Sequence, residues 1–560
     1  MPVSSMLARA PLRGLFVFAL LLVFSGLSAA DEFAVASAHP SATKAGIEIM
    51  RNGGNAFDAA VTVSAVLAVV EPYGSGMGGG GFWLLHDEKN NKQIMIDGRE
   101  KAPLAAHRDM YLGSDGKFDN KLSIDGPLAA GIPGQAAALV HLADNYGKLS
   151  LTQTLQPAIE LARSGFAVDE YYQKMAGWRL AALQDSIAAS EIFLQDDQIP
   201  ETGYLIKQPD LANTLEQLAK QGFDGFYKGP IAQTLVSGVR NAGGIWTMKD
   251  LADYQIVERE PVRFAYKDKT ITSAALPSSG GIVMAQILNM LSGYDLEQLD
   301  SVKRIHLIVE AMRRAYRDRA DYLGDSDFVD VPVDHLLSRR HAAYLASDID
   351  MLSASANDSL VHRAEGMDTT HFSIMDNQGN RVSATLSINY PFGSGFVPQG
   401  SGVLLNDEMD DFSASPGEPN VYGLVGSEAN AIEPGKRMLS SMTPTMVEDG
   451  QGIAILGTPG GSRIITMVLL AILEMENTAD PQAWVDLPRF HHQYLPDIIQ
   501  YEAQAFSGKE VAALEGMGHR LKRLEETYGN MHAIYLHKST GKITAASDKR
   551  GIGLAISASQ

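Results

Sequence analysis

One threonine in the second half of the chain is placed where a hydroxyl could act as a nucleophile. Thr369 follows a polar stretch that runs from about residue 351 to 368. It begins a strand-like run, Thr369–Asp376, which a turn joins to a second run, Val382–Ile388. If the chain were cut before Thr369, the hydroxyl would stand beside a free α-amine, whose pKa of about 8 leaves part of it able to accept the hydroxyl proton. The alternative is that Thr369 simply starts a strand, where threonine is common.

Several other kinds of chemistry are disfavoured by the sequence. The chain has no cysteine, which excludes disulfides, thiolate zinc sites, iron–sulfur clusters and cysteine nucleophiles. It has no G-x-S-x-G or H-E-x-x-H pattern. The run Gly74–Gly79 fits G-x-G-x-x-G, but a helix is predicted before it and a strand after it, the reverse of a dinucleotide-binding loop. The adjacent His491 and His492 cannot both reach one metal from one helix face, so we expect them to pack or hydrogen-bond. We expect no cofactor and no metal.

Helices and strands are predicted in both halves of the chain. Ser41 is predicted to cap a first helix, and Ala56–Val70 to form a second one that is buried on most faces. A strand over Gly452–Leu456 runs into Gly460–Gly461 and then into a helix over Arg463–Met475. The other predicted elements are strands over 82–86, 94–97, 532–537 and 543–547, and helices over 136–146, 151–163, 209–220, 229–240, 282–293 and 300–323. This mixture predicts a layered α/β fold.

Charge and the N-terminus bear on partners and location. Lys and Arg number 46 against 66 Asp and Glu, a formal net charge of −20, which repels phosphate backbones and argues against nucleic acid. Arg9 and Arg13 precede an apolar run, Leu15–Phe24, and Ser28–Ala30 offers a small-residue cleavage site, the pattern of a secretory signal peptide over residues 1–30. The run is too short to span a bilayer, although an uncleaved anchor is the alternative. We expect a periplasmic or secreted protein with no stable membrane span.

A set of sequence blocks resembles the γ-glutamyltransferase (γ-glutamyltranspeptidase) family. The similarity runs in order from about residue 33 to the C-terminus. It is carried by His39–Pro40, Gly53–Ala60, Gly78–Phe82, Asp97–Glu100, Asp368–Ser373, Ser387–Asn389, Ser401–Ser413 and Pro459–Arg463. The resemblance implies an N-terminal-nucleophile hydrolase, a four-layer αββα sandwich whose precursor cuts itself between Asp368 and Thr369. The products would be a large subunit, 31–368, and a small subunit, 369–560, joined as a heterodimer.

The resemblance also implies a reaction. The Thr369 hydroxyl would attack the γ-amide of glutathione or another γ-glutamyl compound, and the resulting ester would pass to water or to the amine of an amino acid or dipeptide. Gly460 and Gly461 match the oxyanion hole, where losing one donor typically costs about 3–4 kcal/mol of barrier. Ser387 stands where many members carry a threonine that hydrogen-bonds the nucleophile. A serine can do the same, but it rotates more freely.

A γ-glutamyl group carries an α-carboxylate and an α-ammonium, so its site needs a cationic and an anionic anchor. By resemblance the carboxylate is bound by Arg99, whose planar fork can hold both oxygens, and by Ser440 and Ser441. The residues that match the ammonium-binding positions are Asn389, Glu408 and Asp411. Tyr422 matches the tyrosine at the tip of a pocket-closing loop, 414–437. For Arg99 and Asp411 taken singly, the alternative is a surface ion pair.

Two alternatives to this function stay open. One is a relative with the same fold, either a glutaryl (cephalosporin) acylase or a poly-γ-glutamate transpeptidase. A glutaryl group lacks the ammonium, so Asp411 favours a γ-glutamyl substrate, and the loop 414–437 favours small substrates over polymers. The other is an uncut, non-catalytic exported binding protein, which would keep its role after Thr369→Ala.

Overall fold

The structure is a computed structural model that describes residues 1, 32–113, 116, 118–355, 369–413, 420 and 422–559. Residues 2–30 of the predicted signal peptide, residues 356–368 of the polar segment and part of the loop 414–437 lie outside these residues. None of the helices in the described ranges combines the length and the apolar character needed to cross a membrane.

Most strands of the described residues belong to two large sheets. In one, seven antiparallel strands follow the order β18-β1-β9-β10-β2-β3-β6; in the other, six follow the order β17-β16-β12-β11-β8-β7. In chain order the strands are β1 (Glu32–Ser37), β2 (Gly80–Asp87), β3 (Lys92–Gly98), β4 (Phe166–Ala167), β5 (Leu205–Ile206), β6 (Val257–Arg259), β7 (Val262–Tyr266), β8 (Lys269–Ser273), β9 (Thr370–Met375), β10 (Arg381–Ser387), β11 (Thr445–Glu448), β12 (Gly452–Gly457), β13 (Phe490–His491), β14 (Ile499–Tyr501), β15 (Leu521–Arg523), β16 (His532–His537), β17 (Ile543–Ser547) and β18 (Leu554–Ser559).

The helices cover the outer faces of the sheets, and each helix predicted from the sequence is present. In chain order they are α1 (Pro40–Arg51), α2 (Ala56–Val70), α3 (Asn120–Ile124), α4 (Gln135–Asn145), α5 (Leu151–Ser164), α6 (Glu170–Gln184), α7 (Ile187–Phe193), α8 (Pro209–Gln221), α9 (Phe223–Tyr227), α10 (Gly229–Asn241), α11 (Met248–Ala252), α12 (Gly280–Leu291), α13 (Ser301–Tyr322), α14 (Val333–Leu336), α15 (Arg339–Ala346), α16 (Ile464–Glu474), α17 (Pro481–Asp486) and α18 (Gly508–Gly516). Four short 3₁₀ helices cover Pro127–Ala129, Glu408–Asp411, Glu428–Asn430 and Gly461–Arg463 within the described ranges.

Three buried clusters define four layers. The outer face of the first sheet packs against α1, α2, α4 and α5, and the outer face of the second against α12, α13 and α16. Between the sheets lies a third cluster, to which each sheet contributes alternate strand residues, as the two-residue period of a strand requires. Its members are Ala34, Ala36, Leu84, Met375, Met446, Ile453, Ile455, Ile534 and Ile543. The predicted αββα sandwich is therefore confirmed.

One detail of the first helix differs from the prediction. Ser41 is not the cap, because α1 begins at Pro40 and the His39 side chain accepts a hydrogen bond from the Ser41 N–H, at 3.1 Å. Proline is suited to the first helical position, since its fixed φ is helical and its missing N–H would have no partner there. The cap thus falls before the proline.

Both sheets contain strands from the two sides of the predicted cleavage site. β1 pairs with both β18 and β9, and β10 pairs with β2. In the second sheet β11 pairs with β8. Asp376 adds a contact across the same boundary, because its Oδ2 accepts a hydrogen bond of 3.0 Å from the Ala56 N–H at the start of α2. Separating the two segments would break these ladders and expose the core.

After cleavage before Thr369, the two segments should therefore remain associated in one folded complex. We expect a cut sample to give two chains on a denaturing gel. In native buffer it should elute from a gel-filtration column at the volume of the Thr369→Ala chain, which we expect to stay uncut. Two separate native peaks would contradict the shared-sheet arrangement.

Candidate active site

Thr369 lies immediately before β9, beside the end of β10. Its φ of 113° is a left-handed value that is rare for a β-branched residue. Its Oγ1 lies 3.3 Å from Ser387 Oγ, which also accepts a hydrogen bond of 2.8 Å from the Asn389 N–H. A hydroxyl has one hydrogen and two lone pairs. Ser387 can therefore take the Asn389 N–H and still hydrogen-bond Thr369.

The loop after α2 supports the backbone at this position. A Cβ on Gly74 would lie 3.2 Å from the Thr369 carbonyl oxygen, so a side chain there would crowd the nucleophile's backbone. The Thr370 hydroxyl donates a hydrogen bond of 2.7 Å to Glu71 Oε2. Burial raises the pKa of Glu71 to about 7, against the opposing effect of this hydrogen bond. Glu71 was not among the predicted site residues, although a charged residue directly after an apolar helix was a usable signal.

The predicted substrate anchors meet in one buried charge cluster. Arg99 follows β3, and its Nη1 donates a short hydrogen bond to Glu408, while its Nη2 donates one of 2.5 Å to Asp411 Oδ2. Its Nε donates to the Met438 carbonyl at 3.3 Å. The predicted carboxylate anchor is thus in direct contact with two of the predicted ammonium anchors.

Burial shifts the pKa values of the acids in this cluster. Glu100 is fully buried, and its Oε2 lies 3.5 Å from Arg99 Nη1. Burial raises the pKa of Glu100 well above its ordinary value, and the neighbouring Glu408 acts in the same direction while Arg99 opposes them. Burial also raises the pKa of Glu408, while Arg99 opposes that shift. Arg99 therefore lies beside three acids, and it pairs most closely with Glu408 and Asp411.

A small pocket lies between this cluster and the nucleophile. It is lined by most of the residues predicted for the site: Arg99, Thr369, Ser387, Asn389, Glu408, Asp411, Tyr422, Ser440, Ser441 and Gly461. The side-chain amide of Asn389 donates to the Asp407 carbonyl at 3.1 Å, and the Tyr422 hydroxyl donates to the Asn389 carbonyl at 2.9 Å. Tyr422 is therefore hydrogen-bonded to Asn389, which lies two residues after the end of β10.

The glycine pair forms the wall of the pocket between β12 and α16. Gly460 and Gly461 have φ values of 134° and 56°, and Gly461 begins a 3₁₀ helix that leads into α16. A Cβ on Gly461 would lie 2.5 Å from the Tyr422 ring, so only glycine lets that ring pack here. The first N–H groups of a helix have no acceptor within it. Gly461 lines the pocket, and Gly460 precedes it in the chain.

His491 and His492 form hydrogen bonds with residues outside this pocket. His491 hydrogen-bonds Thr466 and Gln493, at 2.9 and 2.8 Å, and His492 hydrogen-bonds Asp497 at 3.1 Å, as predicted for this pair. Elsewhere in the described ranges, one group of three side chains is close enough together to hold a metal: His306, Glu310 and His519. Its carboxylate oxygens already accept hydrogen bonds from Arg314 and Ser355.

Two face-to-face sheets between helix layers, with a threonine at the start of a central strand facing a pocket, define an N-terminal-nucleophile hydrolase. The family model for γ-glutamyltranspeptidase matches residues 42–558. The chain is 42% identical to a "glutathione hydrolase proenzyme" of Pseudomonas sp. (strain A14), over 88% of this chain and 87% of that protein. The chain belongs to the γ-glutamyltranspeptidase family and is an enzyme.

Solved structures of two related proteins also match. A Helicobacter pylori γ-glutamyltranspeptidase chain is 39% identical and has a TM-score of 0.56, covering 57% of this chain and 92% of that one. The cephalosporin acylase of Bacillus halodurans is 25% identical and has a TM-score of 0.83, covering 94% of this chain and 96% of that one. The similarity to the acylase thus extends over nearly the whole chain at lower identity.

The raised pKa of Glu71 predicts that the free energy of unfolding depends on pH, and that Glu71→Gln removes this dependence. The ordinary pKa is 4.5 and the folded value is about 7, so the folded protein keeps a proton that the unfolded chain releases between these values. The free energy of unfolding therefore falls as pH rises through this window. Glu71→Gln keeps an acceptor for Thr370 without the charge. The difference in Tm between the variant and the wild type should shift in favour of the variant as pH rises from 4.5 to 7.

Differential scanning calorimetry at several pH values measures this difference. Glu48→Gln, which changes a glutamate on the exposed face of α1, is the matched control, and its Tm difference should not vary with pH. A Glu71→Gln difference as flat as that of the control would contradict the raised pKa.

Proposed function

We propose that this chain is a self-processing γ-glutamyltransferase. It would cut itself between Asp368 and Thr369, form a γ-glutamyl ester on Thr369, and pass the group from glutathione or related compounds to amino acids, dipeptides or water. The observation that carries the proposal is the position of the Thr369 hydroxyl, 3.3 Å from Ser387 in a pocket that also contains Arg99 and Asp411. A nucleophile and both zwitterion anchors thus share one small cavity.

Substrate binding follows from the charges of the pocket. Arg99, Ser440 and Ser441 would take the α-carboxylate through N–H and O–H donors. Asp411, Glu408 and the Asn389 side-chain oxygen would take the α-ammonium. Charge-assisted hydrogen bonds of this kind are stronger than neutral ones. The γ-carbonyl carbon would then face Thr369, and its oxygen would face Gly460 and Gly461.

Catalysis in the cut enzyme would use Thr369 for two roles. The free α-amine accepts the hydroxyl proton as Oγ1 bonds to the γ-carbonyl carbon, and the N–H groups of Gly460 and Gly461 stabilise the oxyanion. The carbon–nitrogen bond breaks, and the leaving amine takes the proton from the Thr369 amine. Water or an acceptor amine, deprotonated by the same α-amine, then attacks the ester and releases Thr369.

Self-cleavage would use the same hydroxyl before the α-amine exists. Thr369 Oγ1 attacks the Asp368 carbonyl carbon, the peptide nitrogen leaves as the new amine, and water hydrolyses the ester. The word proenzyme in the name of the Pseudomonas relative supports a precursor, and its full name supports glutathione as a substrate. The Helicobacter pylori chain matches only the larger part of this chain, which supports subunits 31–368 and 369–560.

A glutaryl (cephalosporin) acylase is the main alternative function, because the structure of the Bacillus halodurans acylase matches nearly the whole chain. A glutaryl substrate has a carboxylate and no ammonium, so its site would gain nothing from Glu408 and Asp411. Glu408 is buried and Asp411 is largely buried against Arg99, an arrangement that is costly to keep unless a cation uses it. We infer that the γ-glutamyl group is the substrate, and that the enzyme acts after export, in the periplasm or outside the cell.

Self-cleavage is tested by expressing residues 31–560 with and without Thr369→Ala. Intact masses and N-terminal sequencing should give fragments 31–368 and 369–560, the second beginning Thr-Thr-His, and the variant should remain whole. The cut protein should release p-nitroaniline from γ-glutamyl-p-nitroanilide. Cleavage that survives Thr369→Ala would point to an outside protease. A folded, uncut and inactive wild type would support the binding-protein alternative.

Asp411→Asn should separate γ-glutamyl from glutaryl recognition. Loss of a charged acceptor for the ammonium should raise KM for γ-glutamyl-p-nitroanilide about 10- to 100-fold, since a hydrogen bond to a charged group is worth about 1.5–3 kcal/mol. Hydrolysis of glutaryl-p-nitroanilide, which has no ammonium, should not fall.

Steady-state kinetics on both anilides measure this effect, with Asp109→Asn at an exposed position as the control. An equal loss on both donors would mean that Asp411 supports the pocket without binding the ammonium.

A further inference from the structure

Arg319, on α13, lies directly behind the serine pair of the pocket. Its side chain is buried, with 5% of the residue surface exposed. Its Nε donates a hydrogen bond of 3.0 Å to Ser279 Oγ, and its Nη2 donates one of 3.2 Å to Ser441 Oγ. Arg319 therefore contacts the predicted carboxylate site without lining the pocket itself.

These contacts fix the direction of the hydrogen bonds in the serine network. Because Ser279 Oγ accepts from Arg319, its own hydrogen is donated to the Ser440 carbonyl, at 2.7 Å. Ser440 Oγ accepts from the Met442 N–H at 3.0 Å, and Ser441 Oγ accepts from Arg319. In the described part of the chain, neither serine hydroxyl donates to another group. Since both serines line the pocket, both hydrogens can be donated to an anion there.

The charges beside Arg99 and Arg319 differ. Arg99 contacts two carboxylates, Glu408 and Asp411. Across the described ranges, no carboxylate lies within salt-bridge distance of Arg319, and Asp411 acts on it only at longer range. A buried cation without a counter-ion is unfavourable, and it favours an anion nearby. The pocket face formed by Ser440 and Ser441 is the place where a ligand carboxylate would come close to it.

We propose that Arg319 is a positioning and specificity residue for the α-carboxylate of the donor substrate. It orients the Ser441 hydroxyl directly and the Ser440 segment through Ser279, so that both serines donate to the carboxylate. It also supplies positive charge that Arg99, already paired with two acids, does not. This inference rests on the proposed γ-glutamyl function and adds a residue outside the pocket to its specificity.

The test compares two donors that differ only in the α-carboxylate. γ-Glutamyl-p-nitroanilide carries it, and 4-aminobutanoyl-p-nitroanilide has the same chain and ammonium without it. Arg319→Gln should raise KM for the first about 10- to 100-fold with little change in kcat. It should leave kcat/KM for the second nearly unchanged. Arg317→Gln, on the exposed face of the same helix, is the matched control and should change neither.

An equal loss on both donors would overturn the inference, since it would show a structural role for Arg319. The proposed function is judged separately, by whether the wild type turns over γ-glutamyl-p-nitroanilide at all. If Arg319→Gln does not fold, Arg319→Lys replaces it in the test. That variant keeps the charge but not the two-pronged fork, so it should show a smaller rise in KM confined to the first donor; no such rise would contradict the proposal.

A double-mutant cycle tests whether Arg319 acts through Ser441. In a Ser441→Ala background the hydroxyl that Arg319 orients is gone, so Arg319→Gln should have a smaller effect on KM than in the wild type. Fully additive effects would show that Arg319 does not act through Ser441.

Discussion

The position of the Thr369 hydroxyl at the start of β9 is the constraint on which the rest of the site depends. A nucleophile that also supplies its own base must present hydroxyl and backbone nitrogen in fixed directions, so the backbone there cannot be loose. Three contacts hold it: Gly74 packs on the Thr369 carbonyl, Glu71 accepts from the Thr370 hydroxyl, and Ser387 approaches Oγ1. The loop after α2 supplies the first two groups, and the end of β10 supplies the third.

Buried charge is the second constraint on the site. Arg99, Glu408 and Asp411 are largely removed from water together, which is tolerable because they pair closely. Such a cluster has little use in a core, where apolar packing would be more stable. It suits a ligand that brings both a carboxylate and an ammonium, since each ligand charge finds an opposite one already in place.

The sequence allowed much of this arrangement to be predicted, and the limits have physical causes. Alternating and apolar runs predicted helices and strands such as α2, β12 and the β9–β10 hairpin, because periodicity reflects which face is buried. The resemblance located Thr369 and the pocket residues around it. It did not indicate that Arg99 pairs with Glu408 and Asp411. Nor did it indicate Glu71 or Arg319, whose contacts join residues on separate helices and strands that no local pattern relates. The cap at His39 was missed because Pro40 fits the first helical position better than Ser41 does.

The central claim, that Thr369 carries the substrate group, is tested most directly by trapping the covalent intermediate. The cut enzyme is mixed with γ-glutamyl-p-nitroanilide, quenched in acid within the first turnovers, and analysed by intact mass and peptide mapping. The account predicts one γ-glutamyl adduct on fragment 369–560, located on its first residue, and none in a Thr369→Ala sample. An adduct on another residue, or steady turnover by Thr369→Ala, would contradict it.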